Sequence, residues 1–192
     1  MTFTLHTPLD FVESSWSGGT TTQLYIAPEG TTYSERNFDT RISTAKVESE
    51  TSTFTRLPGY HRKLMVLNGN IQLNHQGHPS KILRAFDVDS FEGEWSTEAN
   101  GTCTDFNVMT AKGIESHLTC LLLAANKESE ILLENPCKTL FLFSPFESIN
   151  VTLSGEPISL EQHNLLEIQH TNGLKVSVCA AYNTHVVLIT IH

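Results

Sequence analysis

The chain has 192 residues, with 12 lysines and arginines against 21 aspartates and glutamates, which gives a formal net charge of −9. Its content of 39% hydrophobic and 17% charged residues is typical of a globular protein that can bury a full core without disulfide or metal staples. The acidic balance argues against duplex nucleic acid or an anionic membrane as the main partner, because both need a basic face.

The sequence also argues against membrane insertion and secretion. Its apolar runs are far shorter than the roughly 20 residues of a membrane-spanning helix. The opening MTFTLHTPLDF lacks the basic start and long apolar stretch of a secretory signal. We therefore expect a cytoplasmic protein, and the four cysteines, which have no C-x-x-C spacing, are expected to be free thiols.

Short stretches rich in Val, Ile, Thr, Phe and Leu recur along the chain between turn residues, which predicts an all-β fold. Only residues 8–14 could begin a helix, of a turn or two. The predicted strands lie near 22–27, 38–48, 62–67, 70–74, 86–91, 103–110, 117–125, 139–143, 149–153, 164–169, 174–181 and 186–191.

Two Asn-Gly pairs stand between predicted strands. Asn68-Gly69 and Asn172-Gly173 supply residues that tolerate positive φ, so each predicts a tight hairpin.

The chain divides near Lys112-Gly113, where one strand-rich block ends and another begins. We expect two β-halves, residues 1–112 and 113–192, packed as one compact unit. All five arginines precede residue 85. Forked recognition of a carboxylate by guanidinium must therefore use the first half.

Strand alternation places polar side chains on otherwise apolar faces in three predicted strands. These faces consist of Arg41, Ser43, Ala45 and Val47; Arg62, Leu64 and Val66; and Asp105, Asn107 and Met109. If the faces converge in one barrel, a guanidinium not used by Asp105 could receive a small carboxylate. The alternative is a structural ion-pair network of Arg41, Arg62 and Asp105 at the barrel rim.

The segment from Trp16 to Thr22 contains a glycine pair followed by threonines. It lacks the helix start and the lysine of a phosphate-binding loop. A tight turn that presents Trp16, Thr20 and Thr22 at the edge of a pocket, or plain packing, is the better interpretation.

The nine histidines do not predict a metal site. His75-x-x-His78 is the only close pair, and no carboxylate stands in a helpful phase beside it. His61, Cys103 and Asp105 could be arranged as a triad of nucleophile, base and orienting group, but no nucleophile elbow or cysteine-peptidase signature accompanies them.

Several of these segments together resemble the HutD/Ves family of bacterial cytosolic proteins, roughly over residues 16–110. The motifs that carry the resemblance are Trp16-Ser-Gly-Gly-Thr-Thr-Thr-Gln23, Arg41-Ile-Ser-x-Ala45, Phe54-Thr-x-Leu-Pro-Gly59-Tyr-His-Arg62, Leu67-x-Gly69, Phe91-x-Gly93 and Asp105-Phe-Asn-Val-Met-Thr110. Two positions depart from the family pattern, since Gln23 and Ala111 stand where arginines are common.

The resemblance implies a cupin-like fold with two β-barrel or jelly-roll halves in one chain. Members of the family accompany histidine-utilisation genes and are thought to bind a small acid such as urocanate or formylglutamate in a regulatory role. No established reaction and no cofactor come with the family. The segment after Gly59 contains one histidine and lacks the H-x-H of metal-binding cupins, so no metal is expected.

We therefore expect a small-carboxylate-binding protein with a regulatory or sensing role in histidine or amino-acid catabolism. A homodimer is compatible with this expectation. The expected ligand-binding residues are Trp16, Thr20, Thr22, Arg41, Ser43, His61, Arg62, Asp105, Asn107 and Met109. One alternative is a metal-free cupin-type enzyme, an isomerase or hydrolase that acts on a small carboxylated metabolite. Another is an interaction protein without a ligand.

Overall fold

The computed structural model describes residues 2–133 and 137–192, which form strands and turns without a helix. The chain is therefore all-β, as predicted. Its strands in chain order are β1 (Thr2–His6), β2 (Val12–Trp16), β3 (Gly19–Ala27), β4 (Thr40–Val47), β5 (Thr51–Thr53), β6 (Tyr60–His75), β7 (Lys81–Arg84), β8 (Val88–Glu92), β9 (Thr97–Asn100), β10 (Cys103–Ala111), β11 (Ser116–Leu123), β12 (Ser129–Ile131), β13 (Thr139–Phe143), β14 (Ile149–Leu153), β15 (Glu156–Leu160), β16 (Leu165–Gln169), β17 (Val176–Ala180) and β18 (Thr184–Ile191).

The chain separates into two compact units. One is Phe11–Ile114, and the other joins the residues up to Asp10 to Glu115–His192. Within the described ranges, no helix is long and apolar enough to cross a membrane. The cysteines at 103, 120, 137 and 179 are free thiols, as expected.

The helix that residues 8–14 could begin is absent. The Asp10 carboxylate accepts hydrogen bonds from the backbone N–H and the hydroxyl of Thr7, which closes a turn. After this turn β2 begins at Val12 and pairs antiparallel with β3. Local capping by an aspartate therefore favours a turn over a helix here.

The Phe11–Ile114 unit is one curled antiparallel sheet in the order β2-β3-β4-β10-β6-β9-β5, with β7 and β8 also paired to β6. Its core includes Leu64, Val66, Leu73 and Phe91. A smaller cluster contains Phe38, Leu57, Tyr60 and Met109. These apolar residues cover the side of the sheet from which the polar site residues project.

The hairpin predicted at Asn68-Gly69 is wrong, because β6 runs through this pair without reversing direction. One part of β6 pairs with β10, and its last part pairs with β9 and β7. Gly69 has a φ of +86°, and an added Cβ there would lie 2.6 Å from the Thr102 carbonyl oxygen. The Asn-Gly pair therefore bends one long strand where a second chain segment crosses closely, rather than joining two strands.

The other unit contains two sheets, in the orders β1-β16-β13-β18-β11 and β12-β17-β14-β15. Their apolar faces form a core that includes Leu140, Leu142, Val151, Leu166 and Val186. The N-terminal strand β1, which was not among the predicted strands, pairs with β16 along its whole length.

The hairpin predicted at Asn172-Gly173 is also wrong. The Leu174 N–H donates to the Thr171 carbonyl oxygen, and Gly173 has a φ of +70°, so a turn is present. It connects β16 and β17, which belong to different sheets and do not pair with each other. A turn-compatible dipeptide specifies the local reversal but not the strand partner.

Candidate functional site

A cavity of about 310 Å³ lies within the Phe11–Ile114 unit. Three neighbouring strands supply its polar floor. Arg41 of β4 and Arg62 of β6 both pair in register with Met109 of β10. Asp105, four residues before Met109 on β10, pairs with Ala45 of β4 and Val66 of β6. Because alternate residues share a face, these side chains project toward the same space.

Arg41 is held in place by neutral partners. Its Nε donates to Gln23 Oε1 at 2.8 Å, and its Nη1 donates to Ser43 Oγ at 3.2 Å. Its guanidinium carbon lies 4.4 Å from the centre of the Tyr33 ring. Burial lowers the pKa of Arg41, but a guanidinium stays charged at neutral pH.

Arg62 is as buried as Arg41, with 6% of its surface exposed, and its guanidinium lies near aromatic rings. Its guanidinium carbon lies 4.7 Å from the centre of the Phe54 ring and 5.2 Å from that of Phe91. Its buried Nε has no hydrogen-bond partner. Burial lowers the pKa of Arg62 to about 10, so it also remains a cation at neutral pH.

Asp105 is the only acidic residue among those that line the cavity in the described ranges. Burial raises its pKa to about 7, and the positive charge of Arg62 and the Ala45 backbone act in the opposite direction. In the described ranges neither Arg41, Arg62 nor Asp105 takes part in an ion pair. The predicted alternative of a structural ion-pair network is therefore not what forms.

Asn107 lies on the same face of β10, between Asp105 and Met109. Its buried side-chain oxygen Oδ1 has no hydrogen-bond donor. Together with Arg62 Nε, the cavity thus presents one unpartnered buried donor and one unpartnered buried acceptor. Buried polar atoms in native proteins are usually satisfied, so these two atoms mark a place for a polar ligand or water.

The structure brings together most of the residues that the sequence singled out. The cavity is lined by Trp16, Arg41, Ser43, Arg62, Asp105, Asn107 and Met109. The three strand faces predicted from alternation do converge.

The other three candidates lie outside the cavity lining. Thr20 and Thr22 have the opposite phase on β3 from Thr21, which does line the cavity and accepts a hydrogen bond from Trp16 Nε1 at 3.2 Å. His61 stands next to Arg62, on the other face of β6, and its Nδ1 lies 2.8 Å from Glu92 Oε1. Each of these three residues is directly adjacent in its strand to a residue that lines the cavity. Its side chain therefore projects from the opposite face of the sheet.

The glycine pair before β3 is explained by packing. An added Cβ at Gly18 would lie 2.1 Å from a ring carbon of Trp16, and one at Gly19 would lie 1.9 Å from the Lys46 carbonyl oxygen. The pair lets the Trp16 ring and the β4 backbone approach the β2–β3 hairpin closely.

Sequence reasoning missed the aromatic residues that flank the guanidiniums. Tyr33 lies in the connection between β3 and β4, where no periodicity reveals which way a side chain points. Phe54 belongs to the Phe54-Thr-x-Leu-Pro-Gly59-Tyr-His-Arg62 motif. Its presence in the same motif as Arg62 was the available signal. Gln23 was noted only as a departure from the family pattern, whereas its amide oxygen positions Arg41.

The residues present do not fit a cupin metal centre. Among the residues that the structure describes, no histidine lines the cavity, and two guanidiniums there repel a divalent cation. Within 2–133 and 137–192 there is no group of three or more His, Cys, Asp and Glu side chains that could hold a metal ion. His75 is instead buried between Asp89 and Thr97, with 2.8 Å to an oxygen of each.

The HutD family model matches residues 9–186 of the chain. No curated protein sequence matches it. Among solved structures, a conserved protein of unknown function from Pseudomonas aeruginosa PAO1 is 24% identical, with a TM-score of 0.83 over 100% of this chain and 99% of that one. HutD from Pseudomonas fluorescens SBW25, in a formate condition, is 21% identical, with a TM-score of 0.72 over 100% of both chains.

More distant structures share the fold. The bacterial pirin YhhW from Escherichia coli, in complex with nickel(II), is 10% identical, with a TM-score of 0.70 over 98% of each chain. A cupin 2 conserved barrel domain protein from Leptotrichia buccalis is 12% identical, with a TM-score of 0.55 over 94% of this chain and 92% of that one. The fold is therefore cupin-like.

Proposed function

We propose that this chain, which belongs to the HutD family, binds a small organic carboxylate such as urocanate or formylglutamate in the Arg41–Arg62 cavity. The observation that carries the proposal is the pair of buried guanidiniums that face a cavity without an ion-pair partner in the described ranges. A protein of net charge −9 needs such a local positive centre to attract an anion. The unpartnered Nε of Arg62 supplies a donor for a carboxylate oxygen.

The biological role that we propose is sensing or regulation in histidine or amino-acid catabolism. Its support is membership of a family that accompanies histidine-utilisation genes. We also propose that the protein is cytoplasmic and that its two units are two cupin-like halves. A homodimer is compatible with this proposal.

A thermal-shift screen followed by calorimetric titration tests the proposal. Urocanate, formylglutamate and other small carboxylates are screened, since a ligand that binds the native state raises the melting temperature. The best compound is then titrated into wild type, Arg41→Gln and Arg62→Lys, with Arg84→Gln as an exposed control. Both cavity variants are expected to weaken binding. Unchanged affinity in both of them would remove the ligand from this cavity.

The second candidate is a metal-free enzyme that acts on a small carboxylated metabolite. Asp105 favours it, because a carboxyl group with a pKa of about 7 can accept and donate protons at neutral pH. Incubation of the same acids with wild type and Asp105→Asn, followed by proton NMR, tests it. Turnover that is lost in a folded Asp105→Asn would establish the enzyme, and unaltered acids would exclude it for those compounds.

A further inference from the structure

We propose that the cavity takes up a proton together with a dicarboxylate, and that Asp105 is the residue that holds this proton. The inference rests on the proposed function, because it concerns the same carboxylate site. It goes further by naming the charge of the preferred ligand and the residue that sets it.

The charges inside the cavity favour the uptake of a proton with a dicarboxylate. Arg41 and Arg62 contribute two positive charges, and an ionised Asp105 leaves a balance of one. A dicarboxylate would then leave one uncompensated negative charge among buried groups, which is costly in a medium of low dielectric constant. A proton on Asp105 restores neutrality. A monocarboxylate reaches neutrality with Asp105 still ionised, so it needs no proton.

The second argument is the position of Asp105 on β10. Asp105 stands four residues from Met109 on the same face of β10, and the charge of Arg62 acts on its carboxyl group. Arg41 and Arg62 flank Met109, and Asn107 lies between the two positions. A ligand whose first carboxylate lies between the guanidiniums therefore extends toward Asp105. A second carboxylate would meet an ionised Asp105 as a like charge and a protonated Asp105 as a hydrogen-bond donor.

The third argument is that Asn107 Oδ1 is a buried acceptor without a donor. An ionised Asp105 offers only acceptors, whereas a carboxylic acid offers an O–H. Because a protonated Asp105 has one O–H, which the second carboxylate of the ligand accepts, Asn107 Oδ1 stays available for a donor of the ligand such as an amide N–H. Burial already raises the pKa of Asp105 to about 7, so the uptake takes place near neutral pH.

The other titratable or charged groups that face Asp105 are Arg41 on β4, Arg62 on β6, Tyr33 in the β3–β4 connection and Cys103 on β10 itself. The lining residues of β2, β3, β5 and the segment after β5 are neutral. Burial, and after it the charge of Asp105, raises the pKa of Cys103 to about 12, so this thiol keeps its proton. The arginines stay charged. The proton that enters from solvent therefore converts the Asp105 carboxylate into a neutral carboxyl group.

Calorimetry with two matched probes tests the inference. N-formyl-L-glutamate and N-formyl-L-glutamine differ by one carboxylate replaced by an amide, and the carboxylates of both stay ionised above pH 6. Each is titrated into the full chain at pH 6, 7 and 8 in buffers of different ionisation enthalpy. The dependence of the observed heat on the buffer gives the number of protons taken up.

For N-formylglutamate the expected uptake is near zero at pH 6, about half a proton at pH 7 and close to one at pH 8. Its affinity is then expected to fall about fivefold from pH 7 to pH 8 and about tenfold per unit beyond. N-formylglutamine is expected to take up less than half as many protons at pH 8. Asp105→Asn should abolish both the uptake and the pH dependence, whereas the histidine control His78→Gln should retain them.

The outcomes separate the two proposals. Binding of N-formylglutamate at pH 8 without proton uptake overturns the role of Asp105 and leaves the carboxylate site standing. Proton uptake that persists in a folded Asp105→Asn also overturns it. If that variant does not fold, the wild-type proton counts across the three pH values decide alone. If neither probe binds at millimolar concentration, this inference is overturned, whereas the proposed carboxylate site is still decided by the titrations of urocanate and the other screened acids.

Discussion

Arg41 and Arg62 stand opposite the same residue, Met109, on the two sides of β10. Each guanidinium lies close to aromatic rings, Arg41 to Tyr33 and Arg62 to both Phe54 and Phe91. Aromatic faces stabilise a cation without consuming its hydrogen-bond donors. This arrangement keeps two positive charges buried in one cavity while some of their N–H groups stay available.

Arg62→Lys is expected to weaken carboxylate binding although it preserves the charge. A lysine ammonium cannot stack a planar group against Phe54 and Phe91 or present two parallel donors to a carboxylate. We expect the affinity for N-formylglutamate to fall by about tenfold or more, which corresponds to at least about 1.4 kcal/mol. Titration calorimetry measures it, with Arg84→Lys as the exposed control. Wild-type affinity in a folded Arg62→Lys protein would show that the planar guanidinium is not needed.

Gln23 is expected to matter through Arg41. Gln23→Ala removes the acceptor of Arg41 Nε, so Arg41 becomes less well oriented and binding weakens by roughly threefold to tenfold. Gln23→Glu should weaken binding more, because its carboxylate competes with the ligand for the Arg41 guanidinium. Calorimetry on both variants gives the order, with Gln72→Glu as a matched exposed control. Tighter binding in Gln23→Glu than in Gln23→Ala would contradict the role assigned to Arg41.

The stability of the protein is expected to depend on pH through Asp105. Burial raises its pKa to about 7, above the ordinary value of 3.8 that it regains on unfolding. The folded state therefore binds this proton more tightly, and the stabilisation is present at about pH 4 and lost as pH rises through 7. The loss amounts to at most about 4 kcal/mol.

Asp105→Asn should remove this dependence between pH 5 and pH 8, whereas the exposed control Glu13→Gln should not. Urea unfolding followed by tryptophan fluorescence measures it, since Trp16 and Trp95 both belong to the Phe11–Ile114 unit. Parallel pH slopes in wild type and Asp105→Asn would contradict the prediction.

Strand periodicity predicted which side chains share a face, and this part of the site followed from the sequence. Arg41, Ser43, Arg62, Asp105 and Asn107 all lie where alternation placed them, because a strand fixes the phase of every second residue. The same rule shows why Thr20, Thr22 and His61 lie elsewhere. They were chosen by residue type, without regard to the phase of their strands.

Strand partners could not be predicted in the same way. Asn68-Gly69 and Asn172-Gly173 both predict hairpins from the local sequence, but the first bends β6 and the second connects strands of different sheets. Strand β5 (Thr51–Thr53) is entirely polar, and β7 (Lys81–Arg84) has two adjacent apolar residues in only four positions, so neither shows an alternation of apolar residues that predicts a strand. Partner choice depends on long-range packing, which a local sequence pattern does not contain.

The buried histidine network is expected to contribute strongly to stability. Asp89 and Glu92, both on β8, each lie 2.8 Å from a histidine nitrogen, but Asp89 and His75 are buried whereas Glu92 and His61 are half-exposed. Lys81 bonds the other oxygen of Asp89. Asp89→Ala should therefore destabilise the protein by about 3–5 kcal/mol, because it leaves the buried His75 without its carboxylate partner, whereas the half-exposed Lys81 regains water.

Glu92→Ala provides the matched control and should cost about 1 kcal/mol or less. Urea unfolding at pH 7, read by tryptophan fluorescence, compares the two variants. Equal losses of stability would mean that burial does not set the strength of these pairs.

The bend of β6 is expected to depend on the absence of a side chain at Gly69. Gly69 and Gly77 have nearly the same backbone conformation, with φ of +86° and +83°, so alanine is strained at either position. They differ in their surroundings. A Cβ at Gly69 would lie 2.6 Å from the Thr102 carbonyl oxygen, whereas a Cβ at Gly77 would meet nothing within 4 Å.

Gly77→Ala should therefore cost only the backbone strain, about 1 kcal/mol, whereas Gly69→Ala should cost roughly 2 kcal/mol more. Urea unfolding of the two variants measures the difference. Because β6 and β10 must move apart to admit the new Cβ, Gly69→Ala should also weaken carboxylate binding, since Arg62 and Asp105 stand on those two strands. Equal stability of the two variants would mean that the bend tolerates a side chain, and that Gly69 is required only for its backbone angle.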